Sequence, residues 1–336
     1  MRAFIEIDIN ALENNYLKIK NETKKDIIAV LKDNAYGHGL IECAYALYKL
    51  KVPMFAVSTK EEAITIRKNL IFTPILLLGE CHDIRFLSSY KITQTIISFN
   101  QLKLLAKSSI PIPIHLFIDI GMKREGIEID EIDEALQTIN NSKLVLKGIC
   151  THYSSLSNYE NEHILFLDAI KKIPNYQKLI IHSSASSTYK INQDDTAYRI
   201  GLSLFGLDNE LEPVLKLKSP IIRKIKVNKG TPISYDGIEI TPEDGYIYTI
   251  GLGYGDGWRR NYKTTAYIKN DQLKQIGVTC MDYMMLYSKN NYDENVILSI
   301  IDEYHSANEI ANENNTIVYE ITSLLNPRLK RKILKK

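Results

Sequence analysis

At 336 residues the chain exceeds the usual single-domain size, so one large domain with a smaller one is expected. Hydrophobic residues make up 45% and charged residues 24%, the balance of an ordinary globular enzyme. Net charge is +2, from 42 basic against 40 acidic residues, which removes any electrostatic case for a nucleic-acid partner.

The opening run MRAFIEIDIN carries acidic residues and no long apolar stretch, so neither a signal peptide nor a membrane span is expected. Cys43, Cys81, Cys150 and Cys280 are scattered, with no CxxC pair, and suit a reducing cytosol. Short apolar, β-branched runs then recur at residues 3–9, 27–31, 54–58, 75–79, 95–98, 114–118, 145–150, 179–182 and 202–205. Continuous runs of this kind mark strands buried on both faces. Helical periodicity fills many of the gaps. In residues 11–20, Leu12, Tyr16 and Ile19 share a face, with Asn10 available as a cap; residues 60–70 and 160–173 read the same way. About eight such alternations predict parallel βαβ units, and a (β/α)8 TIM-type barrel accommodates that number. An open doubly wound sheet uses the same units, because periodicity alone cannot close a barrel. The run at 3–9 precedes the first unit and belongs either to the smaller domain or to a cap on the barrel.

After residue 212 the pattern changes. Residues 213–227, 245–251, 264–268 and 295–301 read as shorter strands, and only 306–313 looks helical. The expected division is a barrel over residues 1–212 and a smaller, mostly β C-terminal domain over 213–336.

The most informative segment is residues 27–39, where a hydrophobic strand ends on Lys32 and a loop rich in Gly and Asn follows. In a β/α barrel the carboxyl ends of the strands form the active-site face. A lysine there, with its stem among apolar neighbours, can be made nucleophilic by desolvation. By position alone a solvated strand-end lysine is the commoner case; the wider string decides otherwise. VLKDNAYGHG resembles the cofactor-lysine motif of alanine racemases, with Asp33 where a small residue is more usual. The resemblance runs from Phe4 to Arg328. It implies that Lys32 holds pyridoxal 5'-phosphate as a Schiff base, with Tyr36 among the cofactor contacts.

Further segments resemble the same family in the same order. YRIGLSLFG at 198–206 implies that Arg199 meets the cofactor's ring nitrogen and that the amides of Gly201 and Leu202 bind its phosphate. An arginine, always protonated, leaves that nitrogen unprotonated, so the ring is a weaker electron sink and transamination is restrained. ISYD at 233–236 and GYGDGW at 253–258 resemble the family's catalytic tyrosine segment and its companion loop. They imply that Tyr235 is a second base and that Tyr254 helps bind substrate. Racemisation needs acid–base groups on both faces of Cα. Lys32 would serve the D-alanine face and Tyr235 the L-alanine face, with His152, in CTHY, linking Tyr235 towards Arg199. Weaker matches place Arg124, in IDIGMKREG, by the substrate carboxylate and Ser186, in HSSASS, at the phosphate. CMD at 280–282 places the Met281 backbone and Asp282 with the substrate. In the family these second-domain residues reach the other subunit's barrel, which implies a homodimer.

Three departures stand out. Phe117 occupies the position where many members have a carbamylated lysine that orients the arginine, and Ala185 replaces an asparagine before the phosphate-site serine. Asn326 and Pro327 fall where a phosphate-binding tyrosine is sought, which implies room for substrates beyond alanine, such as serine. A ring-nitrogen arginine speaks against a decarboxylase, and the β domain against a small cofactor carrier; a degenerate cofactor-binding protein stays an alternative. His38, His115, His152 and His182 lack ligand spacing, so no metal is expected; His115 and His182 read as hydrogen-bonded strand-end packing. The activity so implied is cytoplasmic racemisation of alanine that supplies D-alanine for peptidoglycan.

Overall fold

The structure is a computed structural model that describes residues 2–208 and 210–334. It divides into two compact units, one made of Tyr16–Ala35 with Leu40–Leu204, the other of Met1–Asn15, Tyr36–Gly39 and Phe205–Lys336.

The first strand, β1 (Phe4–Asp8), lies in the second unit. The first unit is built on β2 (Asp26–Val30), β3 (Met54–Val57), β4 (Ile75–Leu77), β5 (Ile92–Ile96), β6 (Ile112–Phe117), β7 (Leu144–Cys150), β8 (Ile180–His182) and β9 (Ala197–Ile200). All neighbours are parallel, in the order β8-β7-β6-β5-β4-β3-β2-β9. The two ends of this sheet meet: Thr196 N donates to Ile181 O (2.9 Å) and Arg199 N to Ser184 O (3.1 Å). The sheet is therefore a closed (β/α)8 barrel, which periodicity had left open. Burial on both faces accounts for the unbroken apolar runs: Ile27, Ile28, Phe55 and Ile114 are fully enclosed. The helices between strands begin at polar caps, among them Thr59, which forms a capping box with Glu62 ahead of Lys60–Lys68.

Two local expectations fail for identifiable reasons. Residues 202–205 form a 3-10 turn, Leu202–Phe205, and the eighth barrel strand is Ala197–Ile200. Gly201 ends the strand and its carbonyl accepts from Leu204 N (3.0 Å), so a buried apolar run that looks like a strand is a turn. The first helix, Ile9–Thr23, is capped by Asp8, whose Oδ1 accepts from Ala11 N (3.1 Å), and Asn10 lies inside it.

The second unit continues with β10 (Leu215–Val227), β11 (Pro232–Ile233), β12 (Glu239–Ile240), β13 (Gly245–Ile250), β14 (Thr265–Ile268), β15 (Asp271–Gln275), β16 (Met284–Ser288), β17 (Ile297–Ile301) and β18 (Lys330–Leu334). Its main sheet runs β13-β16-β15-β14-β17-β10-β1-β18, and a further β13–β10 pairing joins its long strand to its first. β1 sits between β10, antiparallel, and β18, parallel. Trp258, Tyr248, Leu273 and Leu286 are buried within this unit. β11, β12, β15, β16 and β18 escaped sequence reading because short, half-exposed strands carry little periodic signal. No helix among the described residues is long and apolar enough to cross a membrane.

Candidate active site

The carboxyl end of β2 leads directly into Lys32, which is half-buried. The backbone that follows is unusual: Asp33, Asn34, Ala35 and Tyr36 all take φ of 54°, a single left-handed turn of L-residues. Such a conformation costs about 1–2 kcal/mol per residue and is kept where the surroundings over-determine it. They do so here. Asn34 N donates to Glu62 Oε1 (3.3 Å), Asn34 Oδ1 accepts from Leu40 N (2.8 Å), and Ala35 N donates to Leu31 O (2.9 Å). The turn ends the strand abruptly and leaves Lys32 at the barrel rim, with no hydrogen-bond or ion-pair partner among the described residues.

Other strand ends of the barrel bring further predicted residues to this face: Arg124 after β6, His152 after β7, Ser186 after β8, and Arg199 with Gly201 and Leu202 at β9. His152 registers how cationic this rim is. Burial, followed by the charges of Arg199, Arg124 and Lys32, lowers its imidazole to about 3, so it is neutral at physiological pH.

Arg199 is 8% exposed and has no carboxylate partner among the described residues. Its guanidinium donates only to neutral groups: His182 Nδ1 (2.7 Å), the His182 carbonyl, Thr151 O (2.5 Å) and Ser183 O (3.3 Å). A buried cation without a counter-ion is costly, and an acceptor-rich ligand would relieve it. The hydrogen bonding of His152 towards Arg199 that the sequence motif implied is not formed among the described residues; His182, read as hydrogen-bonded strand-end packing, holds the guanidinium. Because arginine can only donate, His182 Nδ1 must accept. Its Nε2–H then donates to His115 Nδ1 (2.7 Å), and both rings are neutral. Burial and the Arg199 charge push His182 well below its ordinary value and His115 down to about 3.

This has a consequence for stability. Between pH 6.5 and about 3 the unfolded chain binds protons at His115 that the folded chain excludes. Stability is therefore full above pH 6.5 and falls as pH drops through this window, with a slope approaching about 1.4 kcal/mol per pH unit for each such histidine. Thermal denaturation between pH 8 and 4 should show the decline, and His115→Gln should flatten it. An equally steep decline in that variant would refute the assignment.

Ser186 Oγ accepts from Ser203 N (3.2 Å), which links the loop after β8 to the turn after β9. That loop is fixed by Asp195, buried, which accepts from Ser183 N (2.8 Å), Ser183 Oγ (2.7 Å) and Ser184 N (2.7 Å). Ala185, lacking the asparagine's side chain, takes no part in this bracing. Phe117 is buried at the end of β6, and its carbonyl accepts from Ile127 N (2.8 Å). Arg124 is bound instead by its neighbour Glu125, through Nη2 (2.6 Å) and Nε (3.2 Å).

The remaining predicted residues lie in the second unit. Tyr36 neighbours Phe205 (ring centroids 5.4 Å apart) and Tyr319 (6.0 Å). Tyr319, which precedes Asn326 and Pro327 in the chain, thus stands beside Tyr36 in the same unit. Tyr235 starts a 3-10 turn between Ser234 and Asp236, both with positive φ, and is 60% exposed. Tyr254 and Met281 lie on adjoining loops, joined through Tyr254 N to Cys280 O (3.0 Å) and Gly255 N to Met281 O (2.9 Å). Both side chains are exposed. The Asp282 carboxylate is taken by Arg328 (2.6 Å), which holds it below the usual carboxylate range.

A closed (β/α)8 barrel whose strand-end face carries a lysine, a neutral histidine and an uncompensated buried arginine, on a chain with an antiparallel β unit, defines a barrel enzyme built for an anionic ligand. The chain belongs to the alanine racemase family: residues 7–209 match the alanine racemase N-terminal domain and residues 214–333 the C-terminal domain. It is 31% identical to alanine racemase 1 of Bacillus subtilis strain 168, covering 99% of this chain and 93% of that one. It is 33% identical to the alanine racemase of Borreliella burgdorferi strain ZS7, covering 98% and 96%. Among solved structures, the alanine racemase of Bacillus anthracis with bound L-Ala-P superposes with a TM-score of 0.91 at 27% identity, covering 100% of this chain and 96% of that one.

Proposed function

We infer that this chain is an isomerase that interconverts L-alanine and D-alanine, with pyridoxal 5'-phosphate as its cofactor. The carrying observation is Arg199, buried among neutral acceptors with no carboxylate partner among the described residues, on the barrel face where Lys32 ends a strand. Those residues fit the cofactor: an amine to anchor it, a permanent cation for its ring, and a serine hydroxyl with backbone amides for its phosphate. When bound, the cofactor supplies the electron withdrawal that makes an amino acid's Cα–H acidic.

The chain's own residues would do the rest. Lys32 anchors the cofactor and moves the Cα proton on the D-alanine face. Tyr235 moves it on the L-alanine face through its phenolic oxygen. A tyrosine with its ordinary pKa of about 10 is a weak base at neutral pH, so it needs neighbouring cations and a proton acceptor. His152, lowered to about 3, is too weak a base to take that proton and would serve only as a neutral hydrogen-bond partner, so the cations have to do most of the work. Arg199 orients the ring nitrogen without giving it a proton. Ser186, the Gly201 and Leu202 amides, Tyr36 and Tyr319 hold the phosphate. Arg124, the Met281 backbone and Tyr254 hold the substrate, while Asp282 braces that loop through Arg328.

The exposure of Tyr235, Tyr254 and Met281 supports a homodimer in which each β unit completes the partner's barrel. The product would serve peptidoglycan synthesis in the cytoplasm. Purified protein supplied with pyridoxal 5'-phosphate and L-alanine should form D-alanine, with L-serine a much poorer substrate. Absence of D-alanine from a correctly folded, cofactor-loaded dimer would end this reading.

A further inference from the structure

We propose that Glu125 is a positioning residue for the reaction: its carboxylate fixes the Arg124 guanidinium so that the free edge faces the substrate carboxylate. The proposal rests on the racemase reading above. The strand end below this loop carries Phe117, whose side chain has no polar atom and is occupied in packing. Any acceptor that orients Arg124 must therefore come from elsewhere.

The loop after β6 contains two cations and three acids, and their pairing is sorted. Lys123 takes Glu128 (2.5 Å) and lies 3.8 Å from Asp119, while Asp119 also accepts from Gly121 N (2.9 Å) and Lys123 N (3.2 Å). Glu125 is left to Arg124. One oxygen, Oε1, receives both Nη2 and Nε, which locks the guanidinium plane and leaves Nη1 without a protein partner. Glu125 is also turned inward. Its side chain is 26% exposed against 52% for Arg124. Its negative charge reaches the fully buried Cys150 at the end of β7, contributing, after burial, to a thiol pushed up to about 12. The next residue fixes its backbone: Gly126, at φ +124°, donates to Ile97 O (2.7 Å), and a Cβ there would meet Phe117 Cδ1 at 2.8 Å.

An ion pair this exposed contributes little to stability, so a merely structural role and a positioning role separate cleanly. The test uses cofactor-loaded native protein, Glu125→Ala and Glu125→Gln. It reads kcat and KM for L-alanine, melting temperature, and the affinity of propionate, an unreactive carboxylate, from its effect on the cofactor absorbance. Each is measured with and without chloride at constant ionic strength. In Glu125→Ala, KM and the propionate Kd should both rise about tenfold with kcat falling less than about threefold, and melting should be unmoved. Chloride, a small anion able to sit against the released guanidinium, should restore much of that affinity and leave native protein unaffected. KM and propionate Kd within twofold of native in both variants would overturn the proposal. A native protein that binds propionate yet makes no D-alanine would sink the racemase reading, while the propionate series would still decide the role of Glu125.

Discussion

Replacing Lys32 with alanine is expected to remove both the cofactor's protein-linked absorbance and racemisation, the latter by at least about 10^4-fold, since the variant loses a proton carrier and the anchor together. The fold should survive. Among the described residues Lys32 has no hydrogen-bond or ion-pair partner, so its removal breaks no polar contact of the fold. Melting temperature in the absence of cofactor should stay level. Absorbance spectra, chiral assay of alanine and thermal denaturation measure all three. Racemisation above a tenth of native in Lys32→Ala would contradict the assignment.

Tyr235→Phe should separate the two faces of the reaction. The variant keeps the ring and loses one oxygen, at a site 60% exposed, so stability should change by less than about 0.5 kcal/mol. Cofactor binding and colour should be retained, while racemisation falls by about 10^2–10^4-fold in both directions. In deuterium oxide, D-alanine should still exchange its Cα hydrogen through Lys32 without inversion. L-alanine should scarcely exchange, because its proton lies on the tyrosine side. Equal exchange of both enantiomers, or undiminished racemisation, would remove Tyr235 from the mechanism.

Much of the molecule was legible in the chain itself, for physical reasons that differ from place to place. Strands buried on both faces write continuous apolar runs, which is why β2, β3, β4, β6 and β7 were readable. Residues 202–205 carry the same signal and are a turn, because composition reports burial and not backbone angle. The strand-end lysine could be found, but its left-handed turn could not: Asp33 and Asn34 tolerate positive φ, but nothing in Ala35 and Tyr36 favours it. The partners of Arg199 and Arg124 were hidden for another reason. His182 and Glu125 are defined by where a guanidinium points, which depends on how consecutive strands are set across the barrel seam or on one side-chain rotamer.

The position of β1 bears on how the molecule is made. Its five residues are synthesised before those of β10 and β18, which satisfy both its hydrogen-bonding edges and leave the ribosome more than two hundred positions later. The β unit is thus no appendage that follows a finished barrel; it is closed by segments that lie on either side of the barrel in sequence. A fragment cut at residue 212 would carry the eight barrel strands but leave β1 with two bare edges, inviting pairing with other chains. On the ribosome, the nascent chain must keep that short apolar strand unpaired until β10 and then β18 have emerged, and the β unit closes only after the barrel strands are made.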